Sequence, residues 1–164
     1  VGRSLYEANL LPAAQGLIRQ AHESGGNIPI PKDVVVAKSF SADAAPVIRH
    51  VGEVRKDEMI LDIGPLTIIE YSQAIAAAGT IVWNGPLGVF EFSNFSTGTR
   101  AVAEAIGRSK AFSIAGGGET LEAIDQFGVG DEISYISTGG GAFLEFIEGK
   151  TLPAVAALQD RFVI

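Results

Sequence analysis

Residues 111–127 have the sequence AFSIAGGGETLEAIDQF, in which three consecutive glycines separate a strand pattern from a helix pattern. The pattern predicts a short strand over 111–115 and a helix over about 119–127. A strand, a loop and a helix in this order form the repeating unit of α/β proteins. This unit is the starting point for the fold of the whole chain.

Three further units of the same kind surround it. Strands are predicted at 59–63, 80–84 and 133–137, and helices over about 67–78, 99–108 and 142–148. Four such units in series predict an α/β fold in three layers, with a mostly parallel sheet and helices on both faces. Because the carboxyl ends of parallel strands share one edge of a sheet, we expect the glycine clusters to meet there.

The first part of the chain is less regular. A helix is predicted over 4–22 with a capping box of Ser4 and Glu7, and a second capping box of Thr67 and Glu70 is predicted at the next helix. Residues 34–37 are predicted to form a strand buried on both faces, as in a parallel sheet.

Composition limits the classes of function. The chain has 164 residues, a formal net charge of −7 and no cysteine. This length suits one compact domain. Binding to the phosphate backbone of nucleic acids requires clustered Lys and Arg, and no apolar run approaches the roughly 20 residues that span a membrane. We therefore expect a cytoplasmic protein that binds neither nucleic acid nor membrane and has no disulfide or thiolate site.

Gly116, Gly117 and Gly118 stand between a strand and a helix, where their backbone N–H groups can point at an anion with the help of the helix dipole. Glu119 and Thr120 add a carboxylate and a hydroxyl beside a bound phosphate. Magnesium suits this arrangement, because it takes one or two carboxylates together with phosphate oxygens. The alternative is a tight turn in which Glu119 only favours the start of the helix.

Two other loops could take part. Residues 138–141, Thr-Gly-Gly-Gly, repeat the arrangement of donors, and two sets of donors around one point suit a phosphoryl group in transfer. The loop from Asn84 to Glu91 ends in a carboxylate that could bind both hydroxyls of a ribose, the alternative being a solvated loop acid. Trp83, on the preceding strand, is predicted to pack in the core. Neither glycine cluster matches a P-loop or a dinucleotide-binding loop, which disfavours a nicotinamide-dependent oxidoreductase.

Together these motifs resemble those of phosphoglycerate kinases in order and spacing. The matching stretches are Trp83-Asn84-Gly85-Pro86-Leu87-Gly88-Val89-Phe90-Glu91, Gly116-Gly117-Gly118-Glu119-Thr120, Ser137-Thr138-Gly139-Gly140-Gly141-Ala142, Glu148-Gly149-Lys150 and Leu152-Pro153. Ser4-Leu5-Tyr6, Asp33-Val34 and Leu61-Asp62-Ile63-Gly64-Pro65 are similar to the family as well, and the bacterial enzymes are the nearest. The resemblance implies a Rossmann-like C-terminal nucleotide-binding domain over 1–164 that is incomplete at its start.

The resemblance also implies individual roles in binding ADP or ATP. Glu91 would bind the ribose. The adenine would lie near Ile60, Leu61, Leu87 and Gly88. Asn84 would approach the transferred phosphoryl group, and Gly85 would belong to the same binding loop.

For the phosphates, the resemblance implies that Gly117, Gly118 and Thr120 hold the nucleotide and that Glu119 is a ligand of Mg²⁺. Gly118 and Gly141 would donate backbone N–H groups during direct in-line transfer. Glu119 stands where the family usually has Asp, and its side chain is longer by about 1.5 Å, which could alter the metal preference.

Family members are much longer than this chain. We therefore expect a fragment without the N-terminal domain, which would bring 3-phosphoglycerate or 1,3-bisphosphoglycerate to the nucleotide. The implied activity of the whole protein is glycolytic phosphoryl transfer between 1,3-bisphosphoglycerate and ADP by a monomer. For the isolated chain, the alternative is a nucleotide-binding module without catalysis.

Overall fold

The structure is a computed structural model that describes residues 1–162. Its helices are α1 (Leu11–Glu23), α2 (Pro65–Ala77), α3 (Thr97–Arg108), α4 (Gly118–Phe127), α5 (Gly141–Ile147) and α6 (Pro153–Phe162). Its strands are β1 (Asp33–Ala37), β2 (Val47–His50), β3 (Met59–Ile63), β4 (Thr80–Trp83), β5 (Phe112–Gly116) and β6 (Tyr135–Ser137). Across residues 1–162, no helix has the length and apolar character needed to cross a membrane.

The strands β4, β5 and β6 form a three-stranded parallel sheet in that order, and α3 and α4 connect them. The main core packs around this sheet and the two connecting helices. Its buried side chains include Trp83, Val102, Ile106, Ala115, Ile124 and Ile133. The predictions of an α/β fold with a parallel sheet and of a core position for Trp83 are confirmed.

The strands β1, β2 and β3 form a separate sheet, in which the central strand β1 pairs antiparallel with both neighbours. The prediction of a parallel strand at 34–37 is therefore wrong, and the strand at 59–63 belongs to this sheet instead of the parallel one. The segment 38–46 between β1 and β2 is shorter than the crossover of a dozen or more residues that parallel neighbours need. Val34 and Val36 are buried because β1 is the central strand.

Carboxylates from this antiparallel sheet cap two helices. Asp33 of β1 accepts hydrogen bonds from the N–H groups of Leu66 at 3.0 Å and Thr67 at 2.8 Å, at the start of α2. Asp62 of β3 accepts one from the N–H group of Gly98 at 2.8 Å, at the start of α3. Burial alone would raise the pKa of Asp33, but its hydrogen bonds with Leu66 and Thr67 outweigh burial and lower that pKa. Both carboxylates satisfy N–H groups that the first turn of a helix leaves unpaired.

The two predicted capping boxes do not form. Pro65 begins α2, so Thr67 lies inside the first turn, and its hydroxyl donates to the Asp33 carboxylate at 2.8 Å. Ser4 precedes α1, and its Oγ accepts the N–H of Ile60 at 2.9 Å. In both cases the side chain that the local pattern predicted to cap a helix is hydrogen-bonded instead to a residue distant in sequence. The strand β2 and the helix α6 lie in segments without a sequence-based prediction.

Candidate functional site

Three loops leave the carboxyl ends of β4, β5 and β6. In the parallel sheet, Trp83 lies opposite Ala115, and Gly116 lies opposite Ser137, so the strand ends are level. The loop over 84–91, the turn at Gly117 and the loop over 138–140 therefore start from the same edge. This arrangement confirms that the glycine clusters share one edge of the sheet, as open α/β sheets require of a ligand site.

The loops after β4 and β5 are in direct contact. Gly117 has φ +98°, and a Cβ at this position would lie 2.6 Å from Asn84 Oδ1. Only glycine meets both conditions. The N–H of Gly85 donates to Thr120 Oγ1 at 2.6 Å, and Thr120 is fully buried. The Thr120 hydroxyl thus joins the two loops.

The start of α4 has backbone N–H donors without a partner in the helix, and two of the residues that carry them, Gly118 and Glu119, are exposed. The first hydrogen bond of the helix runs from the N–H of Leu121 to the carbonyl of Gly117 at 3.1 Å. The N–H groups of Gly118, Glu119 and Thr120 precede this bond and have no acceptor within the helix. A Cβ on Gly118 would meet no atom within 4 Å, so the space beside Gly118 is open. This geometry suits an anion such as a phosphate.

The helix that follows β6 packs on the end of β5. Gly140 has φ +54° and precedes Gly141, the exposed first residue of α5. A Cβ on Gly116 would overlap the ring of Phe143, which shows that α5 packs directly on the end of β5. Gly141 is therefore placed on the same edge of the sheet as the donors of α4.

An apolar cleft of about 500 Å³ lies beside β3. It is lined by Ile60, Leu61 and Val89 together with Arg3, Phe40 and Met59, among others. The N–H of Val89 donates to the carbonyl of Leu61 at 2.9 Å, which attaches the loop after β4 to this strand. Mostly apolar walls with a few polar groups suit a planar base.

The residues predicted to lie around an adenine coincide with the lining of this cleft only in part. Of the residues predicted around an adenine, Ile60 and Leu61 line it, whereas Leu87 and Gly88 lie outside its lining. Arg3, Phe40 and Met59 line it without having been predicted, because they stand outside the glycine-rich motifs. The feature of the sequence that could have pointed to this cleft was Phe40, an aromatic residue at a loop position.

Glu91, the residue predicted to bind the ribose, and Glu119, the predicted magnesium ligand, are both exposed. Within residues 1–162, neither forms an ion pair, and no group of three acidic, His or Cys side chains is placed to hold a metal. A lone carboxylate beside a phosphate cradle fits a magnesium ion that shares its ligands with phosphate oxygens and water. It does not fit an ion held by protein side chains alone.

A second cleft, of about 350 Å³, lies on one face of the parallel sheet. Its lining includes residues from all three strands, among them Val82, Ile114 and Tyr135, with Phe143, Phe146 and Leu152 beside them. These walls are almost entirely apolar and carry no cationic side chain. The cleft is therefore a poor site for a nucleotide phosphate.

Asp62 lies directly behind the loop that follows β4. It is 1% exposed, and a Cβ on either Gly88 or Gly98 would overlap its carboxylate. Burial raises the pKa of Asp62 to about 6, even though the backbone N–H groups of Gly98, Ile63 and Thr97 favour its charged form. The folded protein therefore keeps a proton on this carboxyl at a pH where the unfolded chain has released it.

We expect this proton to make folding stability depend on pH. Because the pKa rises from 3.8 to about 6 on folding, the contribution of Asp62 is complete below about pH 4 and is lost as the pH rises through 6, a difference of about 3 kcal/mol. Asp33 has a lowered pKa, so its contribution to stability is present at neutral pH and is lost as the pH falls. Urea unfolding of wild type and Asp62→Asn across this range isolates Asp62, and a pH-independent difference between the two would contradict the prediction.

Comparison with known proteins agrees with this geometry. A family model for phosphoglycerate kinase matches residues 1–150. The structure of phosphoglycerate kinase from Coxiella burnetii is similar to this chain, with a TM-score of 0.91 and 51% sequence identity over 95% of this chain and 40% of that one. The phosphoglycerate kinase from Pyrococcus horikoshii OT3 is 34% identical, with a TM-score of 0.78, over 92% of this chain and 36% of that one. The chain thus spans less than half the length of either structure, and it belongs to the phosphoglycerate kinase family.

Proposed function

We propose that this chain is the nucleotide-binding part of a phosphoglycerate kinase, a phosphotransferase that moves a phosphoryl group between 1,3-bisphosphoglycerate and ADP with Mg²⁺. The observation that carries the proposal is the joining of two loops at one edge of the parallel sheet. Asn84 Oδ1 lies against Gly117, and Gly85 is hydrogen-bonded to Thr120. This junction lies beside the open N–H groups at the start of α4.

Each group at this edge has a distinct role in the proposal. The apolar cleft beside Ile60 and Leu61 takes the adenine, and Glu91 accepts hydrogen bonds from the ribose hydroxyls. The N–H groups of Gly117, Gly118 and Thr120 face the phosphates, where the positive end of the α4 dipole favours negative charge. Asn84 approaches the phosphoryl group that is transferred.

The transfer itself needs stabilisation of charge more than covalent chemistry from the protein. Magnesium, when bound with the nucleotide, neutralises charge on the phosphate oxygens, and Glu119 is the side chain that would hold it. Gly118 and Gly141 donate N–H groups to the oxygens of the phosphoryl group in flight. Their glycine identity leaves the backbone open to the substrate, because a Cβ at either position would stand in open space.

The acceptor side of the reaction lies outside this chain in our proposal. An N-terminal domain on a longer polypeptide binds 3-phosphoglycerate or 1,3-bisphosphoglycerate, and the complete protein works as a monomer in the cytoplasm. A second candidate function applies to the 164-residue chain alone: it binds MgADP and catalyses no transfer. The 40% coverage of the Coxiella burnetii structure favours this candidate for the isolated chain.

A fluorescence titration tests nucleotide binding. Trp83 is the single tryptophan of the sequence, and its Nε1 donates to the carbonyl of Gly85 at 3.0 Å, inside the loop that would meet the nucleotide. We expect MgADP to change the Trp83 emission saturably, and EDTA to weaken that binding. NADH is the matched control, because it shares the adenosine diphosphate moiety but belongs to a different class of enzyme. Saturation by NADH and not by MgADP would contradict the proposal.

A coupled assay of ATP formation from 1,3-bisphosphoglycerate then separates the two candidates. A polypeptide that includes the substrate domain should be active, whereas the 17.1 kDa chain alone should bind MgADP without turnover. The intact mass of the sample shows which of the two has been assayed.

A further inference from the structure

The loop over 84–91 has little regular structure of its own, and its backbone groups are satisfied by elements around it. Thr99, the third residue of α3, makes two of these contacts. Its Oγ1 accepts the N–H of Leu87 at 3.1 Å and the N–H of Gly88 at 3.2 Å. One side-chain oxygen therefore fixes two consecutive amides in the middle of the loop.

The other tethers of the loop come from three different elements. The Trp83 indole of β4 donates to the carbonyl of Gly85 at 3.0 Å, and Thr120 Oγ1 of α4 accepts the N–H of Gly85 at 2.6 Å. The carbonyl of Leu61 on β3 accepts the N–H of Val89 at 2.9 Å. The tethers at Gly85 and Val89 hold the two sides of the loop, and Thr99 holds the part between them.

Gly88, in this middle part of the loop, is also closely packed. A Cβ on Gly88 would overlap the Asp62 carboxylate and lie 2.6 Å from the carbonyl oxygen of Phe95. The backbone at Gly88 thus lies against Asp62 and Phe95 with no space for a larger side chain. The two hydrogen bonds to Thr99 act together with this packing, because the N–H groups of Leu87 and Gly88 would each lose a partner, at a cost in free energy, if this part of the loop moved away from Thr99.

Thr99 is 1% exposed, so its side chain cannot reach a ligand in the cleft or at the start of α4. Its effect must pass through Leu87 and Gly88. We propose that Thr99 is a positioning residue for the nucleotide: it fixes the backbone of Leu87 and Gly88 and thereby sets the path of the loop between Asn84 and Glu91. This inference rests on the proposed nucleotide-binding function and adds to it a residue that touches neither nucleotide nor metal.

Thr99→Val tests the inference, because valine has the same shape and lacks the acceptor oxygen. We expect the Kd for MgADP, measured by isothermal titration calorimetry, to rise about tenfold, the equivalent of one good hydrogen bond. In the absence of nucleotide, the amides of Leu87 and Gly88 in this variant should exchange with deuterium at least about tenfold faster than in the wild-type protein. Thr99→Ser keeps the oxygen and should restore both values to within about twofold.

Thr97→Val is the matched control, since Thr97 is exposed and lies two positions earlier on the same helix. It should leave the Kd and the loop exchange at wild-type values. If Thr99→Val does not fold, Thr99→Ala removes the same acceptor with a smaller side chain, and we expect the same rise in Kd and the same faster exchange. Neither variant affects the Trp83 to Gly85 contact directly, so tryptophan emission shows whether the rest of the loop has kept its place.

The possible outcomes separate the inference from the proposed function. Wild-type protein that does not bind MgADP contradicts the proposed function, and the inference falls with it. Wild-type protein that binds, together with a Thr99→Val variant of equal affinity, overturns the inference alone. A variant that loses global stability without faster exchange at Leu87 and Gly88 also overturns it, because Thr99 would then only support the fold.

Discussion

The Glu119→Gln variant should lose phosphoryl transfer by about a hundredfold or more in kcat/KM, because it removes the one negative charge assigned to the magnesium ion. The free energy of unfolding should change by less than about 1 kcal/mol, the usual contribution of an exposed carboxylate at a helix N-terminus. Glu119 is exposed in the first turn of α4, and within residues 1–162 it forms no ion pair that the fold could lose. The measurement is a coupled assay on a polypeptide with both domains, as a function of magnesium concentration.

Two further variants make this test specific. Glu122→Gln changes an exposed carboxylate one turn later on the same helix, and it should keep wild-type activity. Glu119→Asp keeps the charge and shortens the side chain by about 1.5 Å, so it should retain activity with a shifted magnesium dependence. Equal losses for Glu119→Gln and Glu122→Gln would show a general effect of charge on the helix, and Glu119 would not be the metal ligand.

Gly88→Ala should destabilise the protein by about 3 kcal/mol, the upper range for forcing a methyl group into filled space. The new Cβ would overlap the Asp62 carboxylate and press on the backbone carbonyl of Phe95, which has no freedom to rotate away. The same displacement should move the loop over 84–91 and weaken MgADP binding by more than about tenfold. Urea denaturation and calorimetric titration measure the two effects.

Gly52→Ala is the control for this glycine substitution. Gly52 is exposed, its φ is not positive, and a Cβ there would meet no atom within 4 Å. Its free energy of unfolding should stay within about 0.5 kcal/mol of the wild-type value. A Gly88→Ala variant as stable as Gly52→Ala would mean that the loop moves away from Asp62 at little cost, contrary to the packing described above.

The parallel part of the fold was predictable because its signals are local. Each strand from β4 to β6 is followed within a few residues by a glycine cluster and then a helix, so the sequence itself carries the order of the elements. The direction of β1 was not predictable in the same way. An apolar run such as Val34-Val35-Val36 indicates burial on both faces, and a central antiparallel strand is buried on both faces as well.

The site was predictable to the extent that it consists of backbone donors in glycine loops. The side chains that hold these loops were not, because their partners are distant in sequence. Thr99 reaches Leu87 and Gly88 from the following helix, and Asp62 reaches Gly98 from another sheet. Contacts of this kind produce no periodic pattern in the sequence from which they could be predicted. Thr120 illustrates the same limit: its place in the motif gave no sign that its hydroxyl would be hydrogen-bonded to Gly85 on another loop.

The capping of α2 and α3 from the antiparallel sheet has a consequence for the order of folding. Asp33 lies 33 residues before Leu66, and Asp62 lies 36 residues before Gly98. The N–H groups at the starts of these helices gain their protein acceptors only once β1 and β3 are in place, and until then water must pair them. These helices should therefore become stable together with the sheet, as parts of one cooperative unit, and their first-turn amides should open only when that whole unit unfolds.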